Sequence, residues 1–209
     1  VATLLYAVDG NPDYRTVVLD VLQYLYEVAA RTEDGGINHL GELVVPDVTL
    51  WIDSLFMFGT TLIRWGEQQG DARALDEYAA QYRVFAAHLQ DASGWFTHAD
   101  GWPIAQDEGV FWSRGNGWVT AATYEYLRTR LLRGESDPEV EASIARQVSA
   151  IVATQDAETG LWWTIVNRPD AGYVETSGAA LFAYGLARGW RIGLLDDAVL
   201  PVVARAMDG

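Results

Sequence analysis

Cysteine is absent from the 209 residues, which excludes a disulfide framework and any thiolate metal site. No apolar run reaches the roughly 18 residues that a membrane span needs. The first residues lack the basic, apolar, small-residue order of a signal peptide. A reducing, cytoplasmic setting with no membrane partner is therefore expected. Positive charge is scarce: 14 Lys and Arg stand against 29 Asp and Glu, for a net charge of −15. A nucleic-acid partner needs a basic face, so that class is excluded. An anionic ligand would need a local cation inside an acidic field, which makes each Arg near an aromatic cluster a candidate. Histidine is sparse too. His39, His88 and His98 lie far apart with no metal-ligand spacing, and His88 reads as a helix-face residue, so neither a metal nor a cofactor is expected.

What the chain does have is apolar mass and tryptophan. Half of the residues are hydrophobic, enough for a sizeable core. The nine Trp exceed what a core alone requires. Those at glycine-rich turns suit flat platforms for the apolar face of a pyranose ring. Helical periodicity runs through residues 14–31, 50–65, 72–89, 117–132, 139–152, 178–190 and 198–207. Asp137-Pro138 is a cap followed by proline at the first helical position. Period-2 alternation is nowhere sustained; residues 164–166 suit at most a short hairpin arm. The chain reads as all-α and as one domain spanning residues 1–209.

The helices repeat. Trp51-Ile52-Asp53-Ser54, Trp112-Ser113-Arg114-Gly115 and Tyr173-Val174-Glu175-Thr176 share an aromatic, any residue, a charge and a small residue, each 61 residues after the last. Each opens a helix. Glycine turns precede them at Glu33-Asp34-Gly35-Gly36, Ser93-Gly94-Trp95-Phe96 and Thr159-Gly160-Leu161-Trp162. The unit is helix, glycine turn, long loop, charged motif, helix, which suggests stacked α-hairpins. Small residues such as Gly59, Gly115, Gly117 and Gly178 near the second helices' starts permit close approach on an inner ring. In a closed ring the repeated charges converge on one mouth; in an open solenoid they would form a stripe. A ring of six such hairpins needs about 360 residues, so three to four hairpins are expected here and the domain is expected to be truncated. An exposed apolar edge at Leu194, Leu195, Val199 and Val202 would follow.

Three clusters suit chemistry. Asp53 lies among Trp51, Leu55, Phe56 and Met57, where a poorly hydrated carboxyl suits a general acid; its alternative reading is a helix cap. His98 and Asp100 share a long loop with Asp107 and Glu108. Arg114, between tryptophan and glycine at a helix start, offers a bidentate donor to a carboxylate or a partner to Asp53 or Glu175. Asn116 and its flanking glycines suit backbone approach to a ligand.

The strings Trp-Ile-Asp-Ser-Leu-Phe-Met at 51–57, Phe-Trp-Ser-Arg-Gly-Asn-Gly-Trp at 111–118, and Thr-Gly-Leu-Trp-Trp at 159–163 with Tyr-Val-Glu-Thr-Ser-Gly at 173–178 resemble the unsaturated rhamnogalacturonyl and glucuronyl hydrolases, glycoside hydrolase family 105 and its relative family 88. The resemblance covers nearly the whole chain, which matches about the first two-thirds of such a domain. It implies an (α/α)6 toroid and a reaction in which an Asp protonates the C4=C5 double bond of an unsaturated uronic acid, water adds at C5 and the sugar is released. The substrate would be an oligosaccharide from pectin or a glycosaminoglycan. The resemblance places the catalytic pair at Asp53 and Asp100, with Asp107 in reserve, a substrate contact at His98, and Trp112, Arg114 and Trp118 in the matching motif; Asn116, Trp162 and Glu175 are further candidate substrate contacts. Two other functions fit the same residues: a conventional inverting glycosidase, with carboxylates about 6.5–9.5 Å apart, and a non-catalytic sugar-binding module.

Overall fold

The computed structural model describes residues 1–44, 47–102 and 109–209. They form four α-hairpins. Helices α1 (Ala2–Asp9), α4 (Gly59–Gln69), α6 (Ser113–Leu132) and α8 (Thr176–Arg191) pack side by side as an inner row. Helices α2 (Pro12–Gln23), α5 (Ala72–Leu89), α7 (Pro138–Ala153) and α9 (Leu200–Asp208) back them as an outer row. The short α3 (Ser54–Met57) leads into α4.

Three departures from simple periodicity have local causes. The 14–31 pattern is α-helical only to Gln23 and closes with a π-turn over Tyr24–Val28. The 50–65 pattern begins as strand β1 (Leu50–Trp51), which pairs antiparallel with β2 (Ala99–Asp100) in the register Leu50↔Asp100 and Trp51↔Ala99. Across residues 164–166 the expected arm exists as backbone bridges, with the Thr164 amide donating to Tyr173 O at 2.8 Å.

The rows differ at their N-termini. Asn11, Asp71 and Asp137 accept hydrogen bonds from the first-turn amides of α2, α5 and α7, as good capping residues do. The residues at the same place on the inner row, Asp53, Trp112 and Glu175, make no side-chain cap. The cap reading of Asp53 is thereby corrected: its carboxyl turns elsewhere, and these helix starts carry no side-chain cap.

Close packing fixes the inner row. A Cβ on Gly117 would stand 2.7 Å from Leu181 Cβ, and one on Gly178 would stand 2.7 Å from Ser113 Oγ, so α6 and α8 touch backbone to side chain only because both positions are glycine. Helix α6 is buried nearly all round, and its hydroxyls on Thr120, Thr123 and Thr129 bond to carbonyls one turn back. The outer row is latched by a repeated device. Gln90 donates to Gly94 O at 3.0 Å and to Ser143 O of α7 at 3.0 Å. Gln155 donates to Gly160 O at 2.7 Å and to Val202 O of α9 at 2.8 Å.

The expected apolar edge is not where the sequence suggested. Val199 and Val202 are buried, and Leu194 and Leu195 pack against the core, because α9 folds back over α8. Exposed apolar side chains lie instead on α1, at Leu4, Leu5 and Val8. No helix of the described residues is long and apolar enough to cross a membrane.

Candidate active site

The uncapped starts of α3, α6 and α8 bring Asp53, Trp112 with Arg114, and Glu175 to the same end of the inner row. The β1–β2 pair adds the fourth component. The Ile52 amide donates to His98 O at 3.0 Å, which draws the 98–102 segment alongside Asp53.

Trp51 is the centre of an aromatic box. His39 stacks on it at 4.3 Å with planes 9° apart, His98 tilts against it at 5.0 Å and Trp102 meets it edge-on at 5.0 Å. Trp112 meets the other side of His98 at 5.2 Å. Asp53 lies beside this box with its side chain 16% exposed, its Oδ2 3.5 Å from His98 Nδ1. Neither of those atoms, nor Trp51 Nε1, has a hydrogen-bond partner among the described residues, although all three are buried. Buried polar atoms are normally satisfied, so this trio is the candidate centre of the site.

Burial pushes the His98 imidazole below the ordinary histidine value, against the opposing pull of Asp53. His39 is lowered by burial as well, with His98 adding to the effect and Asp53 opposing it. Both rings are therefore neutral at neutral pH, and His39 Nδ1 meets Ser54 Oγ at 2.9 Å.

Arg114 lies over the Trp112 ring at 4.5 Å. Its Nη1 pairs with Glu175 Oε1 at 2.7 Å and donates to Ser177 Oγ at 3.3 Å. The Arg114 side chain is 40% exposed, so part of its guanidinium stays open to solvent. Glu175 itself is 4% exposed, and its two oxygens also accept from Ser113 and Ser177 at 2.7 Å each. A carboxylate so occupied holds Arg114 in place.

Other expectations are corrected by burial. Asn116 is fully buried, and its amide bonds the Phe96 backbone on both sides at 2.9 Å as well as Trp112 O at 3.0 Å. It clips the glycine turn to α6 and faces no ligand. Trp162 is fully buried, edge-on to Phe182, with its indole N–H donated to Ile151 O at 2.9 Å. It is a core ring, not a sugar platform. Trp118 is half-buried against Phe56, ring centroids 4.4 Å apart.

Asp100 makes its contacts elsewhere. Its Oδ2 lies 2.6 Å from His88 Nδ1, and its Oδ1 accepts the Gly101 amide at 2.9 Å. Both oxygens are engaged away from the Asp53–His98 pair, which does not suit an acid–base catalyst. Asp107 and Glu108 lie outside the described residues. His39 and Trp102, whose rings pack on Trp51, are candidate site residues that sequence reasoning left out. No spacing could have placed His39, because its approach to Trp51 depends on contacts across sequence: Asn38 Oδ1 accepts the Thr49 amide at 2.9 Å, and the His39 amide donates to Thr49 O at 2.8 Å. Among the described residues, no group of three or more His, Asp or Glu is arranged to hold a metal ion.

Known proteins share this arrangement of chain. The chain is 29% identical over 187 residues to the unsaturated rhamnogalacturonyl hydrolase YesR of Bacillus subtilis (strain 168), covering 87% of this chain and 54% of that protein. It is 30% identical over 143 residues to protein Atu3128 of Agrobacterium fabrum, covering 64% of this chain and 60% of that one. Among solved structures, a possible member of the GH105 family from Salmonella enterica superposes with a TM-score of 0.86 at 24% identity, over 98% of this chain and 55% of the other. The unsaturated glucuronyl hydrolase of Bacillus sp. GL1 superposes at 0.69 with 19% identity, over 99% of this chain and 57% of the other. These likenesses fix the fold as the helical toroid of such enzymes, of which this chain spans little more than half the length. The model of Glycosyl Hydrolase Family 88 matches residues 1–209 throughout, and the chain belongs to that family.

Proposed function

We propose that this chain carries the acid–base centre of a hydrolase that removes a 4,5-unsaturated uronic acid from oligosaccharides left by a polysaccharide lyase. The observation that supports it most directly is the orphaned trio of Trp51 Nε1, Asp53 Oδ2 and His98 Nδ1 inside an aromatic box. The aromatic rings offer apolar faces for a sugar ring, the Trp51 indole N–H can donate to a sugar oxygen, and the Asp53 carboxyl stands beside them.

The chemistry needs one carboxyl group. Protonated Asp53 delivers its proton to C4 of the enol ether, leaving positive charge shared by C5 and the ring oxygen. The Asp53 carboxylate then takes a proton from water as the hydroxyl adds to C5, so the residue ends protonated, as it began. The C5 hemiketal opens by cleavage of its bond to the ring oxygen. The hemiacetal that this leaves at C1 expels the rest of the oligosaccharide as an alcohol. Neutral His98 beside Asp53 contributes no competing positive charge to the oxocarbenium-like state. Arg114, braced by Glu175 and Trp112, receives the uronate carboxylate, which an acidic protein would otherwise repel.

Loss of the ultraviolet absorbance of the enol ether, followed with lyase-generated oligosaccharides, tests the reading. Turnover of unsaturated substrates alone supports it. Cleavage of saturated glycosides at comparable rates would favour a conventional inverting enzyme and end this proposal.

A further inference from the structure

Asp100 belongs to a second cluster that the proposed chemistry does not use. His88, in the last turn of α5, stands between two carboxylates: its Nδ1 is 2.6 Å from Asp100 Oδ2, and its Nε2 is 2.9 Å from Asp34 Oδ2. A neutral imidazole has one N–H and one lone pair. With an ionised carboxylate at each nitrogen, both must donate, so the geometry requires the imidazolium. The far oxygens are occupied as well. Thr32 Oγ1 donates to Asp34 Oδ1 at 2.5 Å, and the Gly101 amide donates to Asp100 Oδ1. The charged groups facing the ring are Asp34, from the turn after the first outer helix, and Asp100, from β2; on its own helix the positions one turn below are Val84 and Phe85. The hydrogen bond to Asp100 foremost, and that to Asp34, raise the His88 pKa above the ordinary histidine value.

The cluster matters because of what Asp100 is attached to. His98 lies two residues before it and Trp102 two residues after, and both rings pack on Trp51 beside Asp53. The strand that carries them is only two residues long. So short a pairing does not by itself hold a register.

The geometry points to the Asp34–His88–Asp100 bridge as a protonation-dependent tether that holds β2, and with it His98 and Trp102, in place against Asp53 and Trp51. Asp34 and His88 are thus positioning residues, and Asp100 is one in place of a second acid–base catalyst. The sign follows from the raised pKa. The tether is complete below the ordinary histidine value and is lost as pH rises through the higher folded value. Above that point one of the two contacts becomes lone pair against carboxylate, and the strand loosens.

The proposal deepens the reading of the active site and rests on it for its functional meaning, but its physical core can be tested without turnover. The ring nitrogens of His88 and the indole N–H of Trp102, assigned with a Trp102→Phe variant, are followed by NMR across pH in the full chain. The expected result is that His88 holds both ring protons at a pH where an ordinary histidine, near about 6.5, has lost one, with the Trp102 signal moving at the same midpoint as His88. Asp34→Asn should lower both midpoints together, and His88→Gln should abolish the Trp102 transition. Should His88→Gln fail to fold, Asp34→Asn, on an exposed turn, decides alone. A His88 midpoint at or below the ordinary value, or a Trp102 signal indifferent to it, overturns the tether. In a second arm, KM for an unsaturated oligosaccharide should rise above the His88 midpoint in the parent, and this dependence should vanish in His88→Gln; a dependence that persists in His88→Gln also overturns it. A tether that titrates as described in a chain that consumes no unsaturated uronide sinks the functional reading alone.

Discussion

Replacing Arg114 by alanine separates substrate holding from proton transfer. Arg114 contacts Glu175, Ser177 and the Trp112 face, and the Asp53 Oδ2 atom faces His98. Its removal should therefore leave the acid intact and delete one charge-assisted contact to the uronate. Such contacts contribute about 1.5–3 kcal/mol, which corresponds to a KM roughly ten- to a hundredfold higher. kcat should stay within about threefold, since protonation at C4 does not pass through the guanidinium. The fold should also weaken. Glu175, 4% exposed, would keep only its serine donors. Stripping a partner from a fully buried pair costs about 3–5 kcal/mol; because Arg114 is 40% exposed and water can replace it, about 1–2 kcal/mol is expected. Arg114→Lys should fall between, keeping the charge but losing the planar stack on Trp112. Initial rates from the decay of enol-ether absorbance give kcat and KM, and thermal melts give stability. An unchanged KM with kcat reduced tenfold or more would refute the assignment of Arg114 as carboxylate holder.

Other outcomes follow from the same geometry. Asp53→Asn should lower kcat at least about a hundredfold, because the amide keeps the shape but cannot cycle a proton. Asp100→Asn, which only loosens a tether, should cost turnover less than about tenfold; steady-state kinetics on both variants rank the two residues. Gly178→Ala should destabilise the protein by about 1–3 kcal/mol, read as a lower melting temperature, since its Cβ would stand 2.7 Å from Ser113 Oγ and 3.2 Å from Arg114 N. Burial lowers the pKa of both His39 and His98, so their contribution to stability is present above about 6.5 and is lost as pH falls through the folded values. Melts between neutral and acid pH should show this loss, and His39→Gln should reduce it.

The sequence carried the architecture because a repeat declares itself. Charges spaced by 61 residues marked three inner helix starts, and the structure puts Asp53, Arg114 and Glu175 at those starts. The helix over 72–89 matched α5 end to end, since alanine, leucine and tyrosine recur there at one unbroken period. The direction each side chain takes was less legible. Asn116 and Trp162 sit in motifs that look like ligand contacts, yet a buried amide clip and a buried indole have the same letters as exposed ones. Asp100 was read by its neighbours in sequence, whereas its partner, His88, comes from the preceding helix. His39 was invisible for the same reason: its neighbours are made by loop closure and strand pairing, which no local period encodes.

The repeated latches of Gln90 and Gln155 join α5 to α7 and α7 to α9, neighbour to neighbour. A molecule connected in this way resembles a row of hinged panels, in which one panel can swing without its distant neighbours taking notice. The proposed substrate would lie across the seams, touching Asp53 from one panel, Trp112 and Arg114 from the next, and through Arg114 the Glu175 of a third. A bound sugar would then act as a clasp, making the panels open together or not at all. Amide exchange in α4, α6 and α8 should slow in concert on binding, by a common factor set by occupancy.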